Sequence, residues 1–173
     1  MTFAHQHAHA HRHVAGGTDS PTLDVLGPTI EFLTLPDDSG NSFAVMRGVV
    51  PAGVVVPLHS HDDAEAFFIL AGSQQVLTQG EDGLEWNDFQ AGDYVSVPPG
   101  VLHAHRNVSD QPAVDLIVTS ARLGRFFEEI GNPDMEPPSP EDLARFLSTS
   151  ARYGYTIGTP EENHAVGIEL PKF

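Results

Sequence analysis

The sequence predicts an all-β sandwich or barrel that is followed by a helical C-terminal extension. Between Ile30 and Ser120, short extended runs alternate with turn residues at intervals of about 8 to 12 positions, as in sandwiches and barrels. The chain contains 16 glycines and 14 prolines among 173 residues, which favours many turns and short strands over long helices. A chain of this length suffices for one domain with a sizeable core.

The predicted strands are eight runs rich in β-branched and aromatic residues. In chain order they are TIEFLTL, SFAVMRGVV, VVVPLHSH, EAFFILAG, QQVLTQG, YVSVPPG, VLHAHRNV and VDLIVTS. Clusters of turn-forming residues, such as PDDSGN and SDQPA, separate them. Because no helix-length segment lies between these strands, βαβ units are not expected.

Two amphipathic helices are predicted after the last strand. In RLGRFFEEIG, apolar residues recur at helical spacing and Gly131 is the expected stop. In SPEDLARFLSTSARYG, Ser139 is the expected N-cap, Pro140 the first helical residue and Gly154 the stop. The expected inner faces hold Leu123, Phe126, Phe127 and Ile130 in the first helix, and Leu143, Phe146, Leu147 and Ser150 or Ala151 in the second.

The chain divides into three predicted segments: a disordered His-rich leader over residues 1–20, a β-barrel over 21–121, and a helical extension and tail over 122–173. The leader holds five of the ten histidines, at alternate positions from His5 to His13. Three interpretations of it remain open: a flexible tail, a metal-scavenging tail or an added tag. We expect it to bind nickel in solution without contributing to a site in the barrel.

Charge and composition argue against several classes of protein. The 24 acidic residues exceed the 8 basic ones and give a net charge of −16, without the basic stripe that a nucleic-acid or anionic-membrane binder needs. No segment reaches the ~20 apolar residues of a membrane span. The absence of cysteine excludes disulfides, thiol catalysis and thiolate metal sites. We therefore expect a soluble cytoplasmic protein with no nucleic-acid or membrane partner.

The segment VPLHSHDDAEAFFILAG (residues 56–72) interrupts an apolar run with His59, His61 and Glu65. Burying such groups without partners costs on the order of several kcal/mol, so solvent, a hydrogen-bond network or a metal ion must satisfy them. Alternate strand residues share a face, which places the two histidines about 7 Å apart on one side. The Asp62–Ala64 turn lets Glu65 return to the same point, and His103 follows a Pro–Pro–Gly bend. Three imidazoles and a carboxylate suit one divalent Fe, Mn, Co, Ni, Cu or Zn ion.

Two motifs that contain these residues resemble those of the cupin superfamily. The first is Gly53-x5-His59-x-His61-x3-Glu65-x6-Gly72, the second is Gly92-x5-Pro98-x-Gly100-x2-His103-x3-Asn107, and 19 residues lie between them. All ten specified positions are filled, and the resemblance covers about residues 40 to 120. It implies a cupin double-stranded β-helix, or jelly-roll barrel. It also implies a metal ion held inside the barrel by His59, His61, Glu65 and His103.

Each of these residues also has an interpretation without a metal when it is considered alone. His59 and His61 can lie on a solvated strand face. Glu65 can be an edge-strand charge that discourages aggregation, and His103 can bond a backbone carbonyl in a wall. The presence of both complete motifs favours the metal site.

His105 departs from the resemblance, because cupin barrels commonly carry an aromatic or apolar residue at that position. It shares a strand face with His103, and three roles remain open. It is a hydrogen-bond partner of a ligand, an extra base near the metal, or a core histidine with its own hydrogen bonds. Asn107, in step with both histidines, is expected to tie strands together.

The predicted pocket is apolar. Its expected lining residues are Phe67 and Ile69, which follow Glu65 on its strand face, and Val95 and Val97 or their alternates on the opposite wall. The barrel segment contains only two cations, Arg47 and Arg106, and Arg106 is expected to face outward. A phosphosugar or dicarboxylate would need inward-facing Arg or Lys, so a neutral or aromatic small molecule is the expected substrate.

The layout of one cupin domain followed by two helices also resembles bacterial single-domain cupins grouped with quercetin 2,3-dioxygenases. This resemblance implies a metal-dependent dioxygenase that cleaves a small hydroxylated aromatic, flavonol-like compound with O2. Glu65 is then both a ligand and the candidate catalytic base, with a pKa raised by the apolar wall. The C-terminal helices either cover the barrel mouth or, more simply, pack on the outer sheet or form a dimer.

Two other classes of function remain open. A non-oxidative isomerase, cyclase or lyase would use the ion as a Lewis acid, and an assay without O2 separates it from a dioxygenase. A non-catalytic module would bind a small molecule or a metal without reaction. The resemblance and the spare apolar strands also lead us to expect a homodimer.

Overall fold

The computed structural model describes residues 21–34, 42–81, 83–135 and 138–170. The expected leader, residues 1–20, lies outside the described residues. In the described ranges two antiparallel sheets pack face to face, and helices follow the last long strand. This arrangement confirms the predicted all-β class, its jelly-roll form and its helical C-terminal part.

The larger sheet contains six of the described strands. Their order across the sheet is β1 (Thr22–Asp24), β2 (Thr29–Thr34), β3 (Phe43–Val50), β10 (Ala113–Ser120), β5 (Glu65–Ala71) and β8 (Tyr94–Val97). Strand β10 lies between β3 and β5 and places Thr119 opposite Glu65. Because β10 ends one residue later, Glu65 lies at the end of the sheet from which the C-terminal extension leaves.

The smaller sheet contains the other five described strands. Their order is β11 (Thr156–Ile157), β4 (Val55–Ser60), β9 (His103–Arg106), β6 (Ser73–Gln79) and β7 (Leu84–Gln90). The central pair of β4 and β9 places His59 opposite His103, with a register shift towards the other end of the pair. Two predicted ligands from distant parts of the sequence are therefore cross-strand neighbours.

Four elements of the structure were not predicted from the sequence: β1, β7, β11 and the short helix α3 (Pro160–Ala165). Strand β7 has the sequence LEWNDFQ, whose Glu, Asn and Asp disfavour a strand, but it pairs with β6 along its whole length. Strands β1 and β11 are too short to show a period. Helix α3 does carry a sequence signature, a capping box between Thr159 and Glu162 with Pro160 at its start.

The main apolar core lies between the two sheets and is formed by alternate residues of their strands. Its buried members are Leu23, Ile30, Phe32, Ala44, Met46, Phe67, Ile69, Val76, Val95, Val97 and Ile117. Burying each large aliphatic or aromatic side chain contributes about 1.5–3 kcal/mol. This core occupies the same interior as the polar residues of the candidate site, which it surrounds with a low-dielectric wall.

Two longer helices form the rest of the extension. Helix α1 (Ala121–Ile130) begins at the N-cap Ser120 and buries Leu123, Phe126 and Ile130, as predicted. Helix α2 (Pro140–Tyr153) begins at the Ser139 capping box and ends at Gly154, which has a φ of 66° that favours glycine. Within the described residues, no helix combines the length and the apolar character that crossing a membrane requires.

The expected inner face of α2 was partly wrong. Leu147 is 51% exposed, whereas Thr149 and Ser150 are buried. The helix packs on α1 through Phe146 and Tyr153, which lie about two turns apart along the helix and whose rings contact Phe126. This contact turns the helix so that Leu147 faces solvent.

Candidate metal centre

Four polar side chains from both sheets meet at one end of the barrel interior. His59 comes from β4, His61 follows that strand directly, His103 opens β9, and Glu65 opens β5 of the opposite sheet. All four are at most 5% exposed. The structure therefore brings together the four residues that the sequence nominated, in a place that water does not reach freely.

Each of the three imidazoles is held by a hydrogen bond between its Nδ1 and a backbone carbonyl. The pairs are His59 Nδ1 with the Pro57 carbonyl at 2.7 Å, His61 Nδ1 with Asp63 at 2.9 Å, and His103 Nδ1 with Val101 at 2.9 Å. A carbonyl oxygen only accepts, so each Nδ1 carries the proton and donates it. A ring that donates from Nδ1 has its lone pair on Nε2 when it is neutral, and this is the form that binds a metal.

The possible ligand atoms of His59, His61 and His103 all lie within 4.8 Å of one another, the only such group of three among the described His, Asp and Glu residues. The Oε2 atom of Glu65 adds a carboxylate 3.3 Å from Nε2 of His61 and 3.8 Å from Nε2 of His103. Glu65 thus joins the histidine group through two of its three members.

The buried nitrogen atoms of this cluster fit a metal ion. Nε2 of His61 and Nε2 of His103 are buried and form no hydrogen bond with any of the described residues. Leaving a buried polar atom without a partner costs about 1–3 kcal/mol, so such atoms call for a ligand. Lone pairs on neutral imidazoles beside a carboxylate are the donors that divalent transition metals take in proteins.

Burial and neighbouring groups shift the pKa values of two histidines of the cluster in opposite directions. Burial lowers the pKa of His59 well below its ordinary value, and the neighbouring His103 lowers it further. Burial also acts to lower the pKa of His61, but the adjacent Glu65 outweighs it and the net shift is upward. His59 is therefore neutral, while the proton affinity of His61 reflects the carboxylate beside it.

The expected rise in the pKa of Glu65 was wrong. Burial does act to raise this pKa, but contacts with His103 and His61 outweigh it and hold the pKa below the ordinary value. The carboxylate is buried, yet the imidazoles of His61 and His103 lie 3.3 and 3.8 Å from its Oε2 and stabilise the charge. Glu65 is therefore a carboxylate at neutral pH.

His105 lies two residues after His103 on β9, next to the cluster. Its ring is 5.5 Å from that of His103 and 4.5 Å from that of Phe67, measured between centroids. Nε2 of His105 is buried without a hydrogen bond, which does not fit a core histidine that satisfies its own polar atoms. Burial lowers its pKa to about 3, so the ring is neutral.

Asn107 ties strands together, as expected. Its Nδ2 donates to the carbonyls of Val50 and Gln111 at 2.9 and 2.8 Å, and its Oδ1 accepts from the backbone and side chain of Ser109. Arg106 also behaves as expected, because its side chain lies on the outside over the ring of Trp86.

The structure places the residues predicted to line the interior in one sheet and not on two opposite walls. Phe67 and Ile69 are buried on the same face as Glu65. Val95 and Val97 are also buried, but they lie on β8 beside β5 in the same sheet, where Val97 pairs with Glu65. The sequence pattern gave their facing direction and not their sheet, because alternation carries no information about strand order.

A groove of about 410 Å3 lies between the open edges of the two sheets, at β7 and β8. Its lining is formed by Thr78, Gln79, Phe89, Tyr94, Val95, Ser96, Val97, Pro98 and Val101. Val97 is the partner of Glu65, and the Val101 carbonyl accepts from His103. The groove therefore reaches two residues that directly neighbour the metal cluster.

The C-terminal extension contacts the cluster through Tyr155, which the sequence did not nominate. The Tyr155 ring lies parallel to that of His59, with centroids 4.8 Å apart and an interplanar angle of 8°. Strand β11 brings it there by pairing with β4, which places Ile157 opposite His59. No local signal marks this residue, because the contact arises from pairing between segments almost 100 positions apart.

A second link joins the extension to the turn between His61 and Glu65. Asp63, whose carbonyl holds His61, accepts hydrogen bonds through its carboxylate from Ser120 Oγ and Arg122 Nη1, both at 2.5 Å. Arg122 also donates to the carbonyl of Tyr153 at the end of α2. The extension and the ligand-bearing turn are thus one connected structure.

Comparison with known proteins assigns the central segment. Residues 46–119 match the family model of the cupin domain. The chain is 34% identical over 80 residues to dimethylsulfoniopropionate lyase DddQ of Ruegeria pomeroyi, a match that covers 46% of this chain and 38% of the relative. It is 29% identical over 136 residues to gentisate 1,2 dioxygenase 1 of Aquipseudomonas alcaligenes, covering 76% of this chain and 36% of the relative.

The chain thus spans little more than a third of the length of these two curated relatives. Among solved structures, the polyketide cyclase RemF of Streptomyces resistomycificus superimposes with a TM-score of 0.54 at 20% identity. That match covers 66% of this chain and 79% of the cyclase. At this identity the similarity shows the fold alone, and it agrees with the jelly roll described above.

Proposed function

We propose that this chain, whose residues 46–119 match the family model of the cupin domain, is a metal-dependent dioxygenase that cleaves a small hydroxylated aromatic compound with O2. One observation supports the proposal above all. The imidazoles of His59, His61 and His103 are buried together beside a carboxylate, and within the described residues Nε2 of His61 and Nε2 of His103 form no hydrogen bond. A gentisate dioxygenase among the relatives supports the reaction class.

In this proposal one divalent transition-metal ion is held by His59, His61, Glu65 and His103. When bound, the ion supplies Lewis acidity and redox chemistry that side chains do not provide. The backbone carbonyls that fix each Nδ1 keep the three rings ready to bind it. The flavonol specificity implied by the sequence resemblance stays a hypothesis within this class.

Glu65 is proposed to accept the proton of the substrate hydroxyl. Its pKa is held below the ordinary value by His103 and His61, so the carboxylate is already charged at neutral pH. A carboxylate of low pKa is a weak base, and it takes a proton readily only from an acidic group. We therefore expect substrates with an acidic hydroxyl, such as a phenol or an enol.

The interior favours a substrate without a charged group. None of the described arginines is buried, and the described residues that face the metal cluster include no Arg or Lys. A substrate carboxylate would lose its hydration there without gaining a cationic partner. The groove at β7 and β8 offers instead Phe89, Val95 and Val101, with a volume in the usual range for small-molecule sites.

A non-oxidative reaction is the second candidate, and one observation favours it. The relative with 34% identity is a lyase, and the match of 80 residues is comparable in length to the cupin domain. The same four side chains would then serve a reaction in which O2 takes no part. A third class, a cupin that binds a small molecule or metal without reaction, is an outcome of the same test.

The test measures O2 uptake and substrate loss together, with metal-loaded protein and a panel of flavonols, catechols and gentisate. We expect equal molar consumption of O2 and of one neutral substrate, and no reaction under anaerobic conditions. Turnover that continues without O2 would replace the dioxygenase by a lyase or isomerase. Metal binding with no turnover of any compound would favour the binding module. The His103→Ala chain serves as the control without a complete site.

We also propose a homodimer that forms through the outward face of the larger sheet. On β3, β10, β5 and β8, this face carries Phe43, Val45, Val49, Ala66, Phe68, Leu70, Tyr94, Val114, Leu116 and Val118. Arg47 is its one charged side chain in these strands. In a chain of net charge −16, two copies meet with least repulsion across these four strands, which carry no acidic group on this face.

Sedimentation equilibrium tests the dimer. Phe68→Glu should convert the dimer to a monomer, because it buries a charge at the centre of the apolar face. The matched control is Val108→Glu, at a site that is also exposed but lies outside this face. A wild-type chain that sediments as a monomer, or a Phe68→Glu chain that remains dimeric, would contradict the proposed interface.

A further inference from the structure

Tyr155 lies outside the cupin domain, in the turn between α2 and β11, and yet its ring stacks on two imidazoles of the metal cluster. Its centroid is 4.8 Å from that of His59 at 8°, and 5.8 Å from that of His61 at 28°. The same ring stacks with Phe126 of α1 at 4.7 Å and 18°. An aromatic column therefore runs from the core of the C-terminal helices to two of the predicted ligands.

The backbone holds Tyr155 from both sides. Before it, Gly154 closes α2 in the left-handed conformation, and the Tyr155 N–H donates to the Ser150 carbonyl at 2.9 Å. After it, β11 pairs with β4, and the Gly158 N–H donates to the Leu58 carbonyl at 2.7 Å. A residue anchored at both ends presents its ring in one place without further loss of backbone entropy.

Asn163 of α3 stabilises the contact between β11 and β4 that follows Tyr155. Its side chain is fully buried, its Oδ1 accepts from the Leu58 N–H at 2.9 Å, and its Nδ2 donates to the carbonyls of Gly158 and Thr159. Leu58 directly precedes His59 in β4. The tail beyond Tyr155 is thus hydrogen-bonded to the strand that carries the first ligand.

We propose that Tyr155 is a positioning residue of the metal centre, whose ring holds the imidazoles of His59 and His61 in the orientation that turns both Nε2 atoms towards the ion. The proposal rests on the metal site described above and not on the reaction. The torsion that turns an imidazole is broad, so the hydrogen bond at Nδ1 leaves each ring free to tilt about that edge. A parallel ring at stacking distance removes this freedom and shields the imidazole face from water.

The ring of Tyr155, and not its hydroxyl, carries this role. The hydroxyl forms no hydrogen bond with the described residues, whereas the ring contacts two histidines and Phe126. Residues that orient metal ligands from behind typically change metal affinity by 10- to 100-fold when they are removed. Loss of the ring should therefore weaken metal binding, and loss of the hydroxyl alone should not.

The test titrates Co2+ into the full chain and follows its visible absorption, which reports coordination geometry independently of any turnover. The spectrum of the His103→Ala chain, which keeps the His-rich leader, is subtracted to isolate the barrel site. Tyr155→Leu should lower Co2+ affinity by roughly 10-fold or more and shift the absorption bands. Tyr155→Phe should restore both the affinity and the bands of the wild type.

Tyr153→Leu is the matched control. Tyr153 belongs to the same aromatic cluster and contacts Phe126, but it has no ring contact with His59 or His61. This variant should lower the melting temperature and leave the Co2+ bands unchanged, as a purely structural loss would.

Three results would overturn the assignment. Tyr155→Leu with wild-type affinity and bands would show that the ring does not position the ligands. Equal losses of Co2+ affinity in Tyr155→Phe and Tyr155→Leu would assign the effect to the hydroxyl. An equal loss of Co2+ affinity in Tyr153→Leu would show that the effect comes from general destabilisation. A wild-type chain with no Co2+ spectrum after subtraction would instead remove the metal site itself, and with it the function proposed above.

Discussion

The barrel interior buries a carboxyl group at each of two places, and the two groups respond to burial in opposite ways. At the metal cluster, Glu65 lies beside His61 and His103, and its pKa is below the ordinary value. In the middle of β10, Asp115 accepts one hydrogen bond from Gln74 Nε2 at 3.1 Å. Burial raises the pKa of Asp115 to about 7, despite the hydrogen bond from Gln74.

Burial alone does not explain this difference, because Glu65 is 4% exposed and Asp115 is 2% exposed. The neighbours explain it. Two imidazoles stabilise a negative charge, whereas a neutral amide offers a single dipole. Oδ1 of Asp115 and Oε1 of Gln74 are both buried acceptors without a partner, so a proton on Asp115 supplies a donor where none exists. One place is suited to hold a cation and the other to hold a neutral acid.

The largest expected effect removes the binding capacity of the metal cluster and leaves the Asp115 region intact. His103→Ala should abolish stoichiometric metal in the barrel, because two imidazoles and one carboxylate no longer close the site. Asp115→Asn should retain it. Elemental analysis measures both, with the metal bound by the leader assigned from the His103→Ala chain. Equal metal content in all three chains would contradict the assignment of the site to the His cluster.

The next effect concerns turnover. Glu65→Gln keeps the size of the side chain but removes the proton acceptor, so turnover of a substrate found by O2 uptake should fall at least about 100-fold. The measurement uses saturating metal, and circular dichroism checks that the fold is intact. Full activity in this variant would mean that Glu65 neither accepts the proton nor completes the site.

The raised pKa of Asp115 should make the free energy of unfolding depend on pH. The folded protein holds the Asp115 proton up to about pH 7, whereas the unfolded chain releases it near pH 4. Stability from this group is therefore fully present below pH 4 and is lost as the pH rises towards 7, by up to about 4 kcal/mol. Above pH 7 no further change is expected.

Urea unfolding of metal-free protein at several pH values measures this effect as the difference between the wild type and Asp115→Asn. Both chains contain the same histidines, so the titration of the histidines cancels in this difference. The difference in unfolding free energy should change steadily between pH 4 and 7 and stay constant above pH 7. Asp88→Asn, on the exposed side of β7, is the matched surface variant measured alongside. If the stability of Asp115→Asn changed with pH in the same way as that of the wild type, Asp115 would be charged in the folded protein.

The smallest expected effect lies in the link between the extension and the ligand-bearing turn. Arg122 bonds Asp63, but its side chain is 42% exposed, so solvent screens the pair and its contribution is at most about 1 kcal/mol. Arg122→Gln should therefore lower Co2+ affinity by no more than about fivefold. Arg152→Gln, which breaks an exposed pair with Glu129, should leave it unchanged. If Arg122→Gln lowered Co2+ affinity more than Tyr155→Leu does, Arg122 would be the main support of the site.

Much of the metal cluster could be predicted from the sequence because its determinants are local. The two histidines of the His-x-His pair share a strand face because side chains alternate along a strand. The turn that follows is short, so it returns Glu65 to the same end of the barrel. The motif around His103 marked the start of a second strand. The caps at Ser139 and Gly154 likewise depend only on residues within one turn of them.

Other features could not be predicted, because they depend on which segments meet. The sheet that holds Val95 and Val97, the exposure of Leu147 and the pairing of β11 are set by contacts between distant elements. The sign of the pKa shift of Glu65 belongs to the same class. An apolar wall and two imidazoles act on it in opposite directions, and only distances decide between them.

By itself, the sequence determined the fold class and the identity of the four side chains that meet inside the barrel. Periodicity, turn chemistry and motif spacing act over a few residues and are written directly in the order of the chain. Only the tertiary structure decided that Tyr155 stacks on His59 and that Glu65 and Asp115 shift in opposite directions. Stacking and electrostatic interactions fall off over a few ångströms, so they exist only once segments far apart in the chain have been packed together.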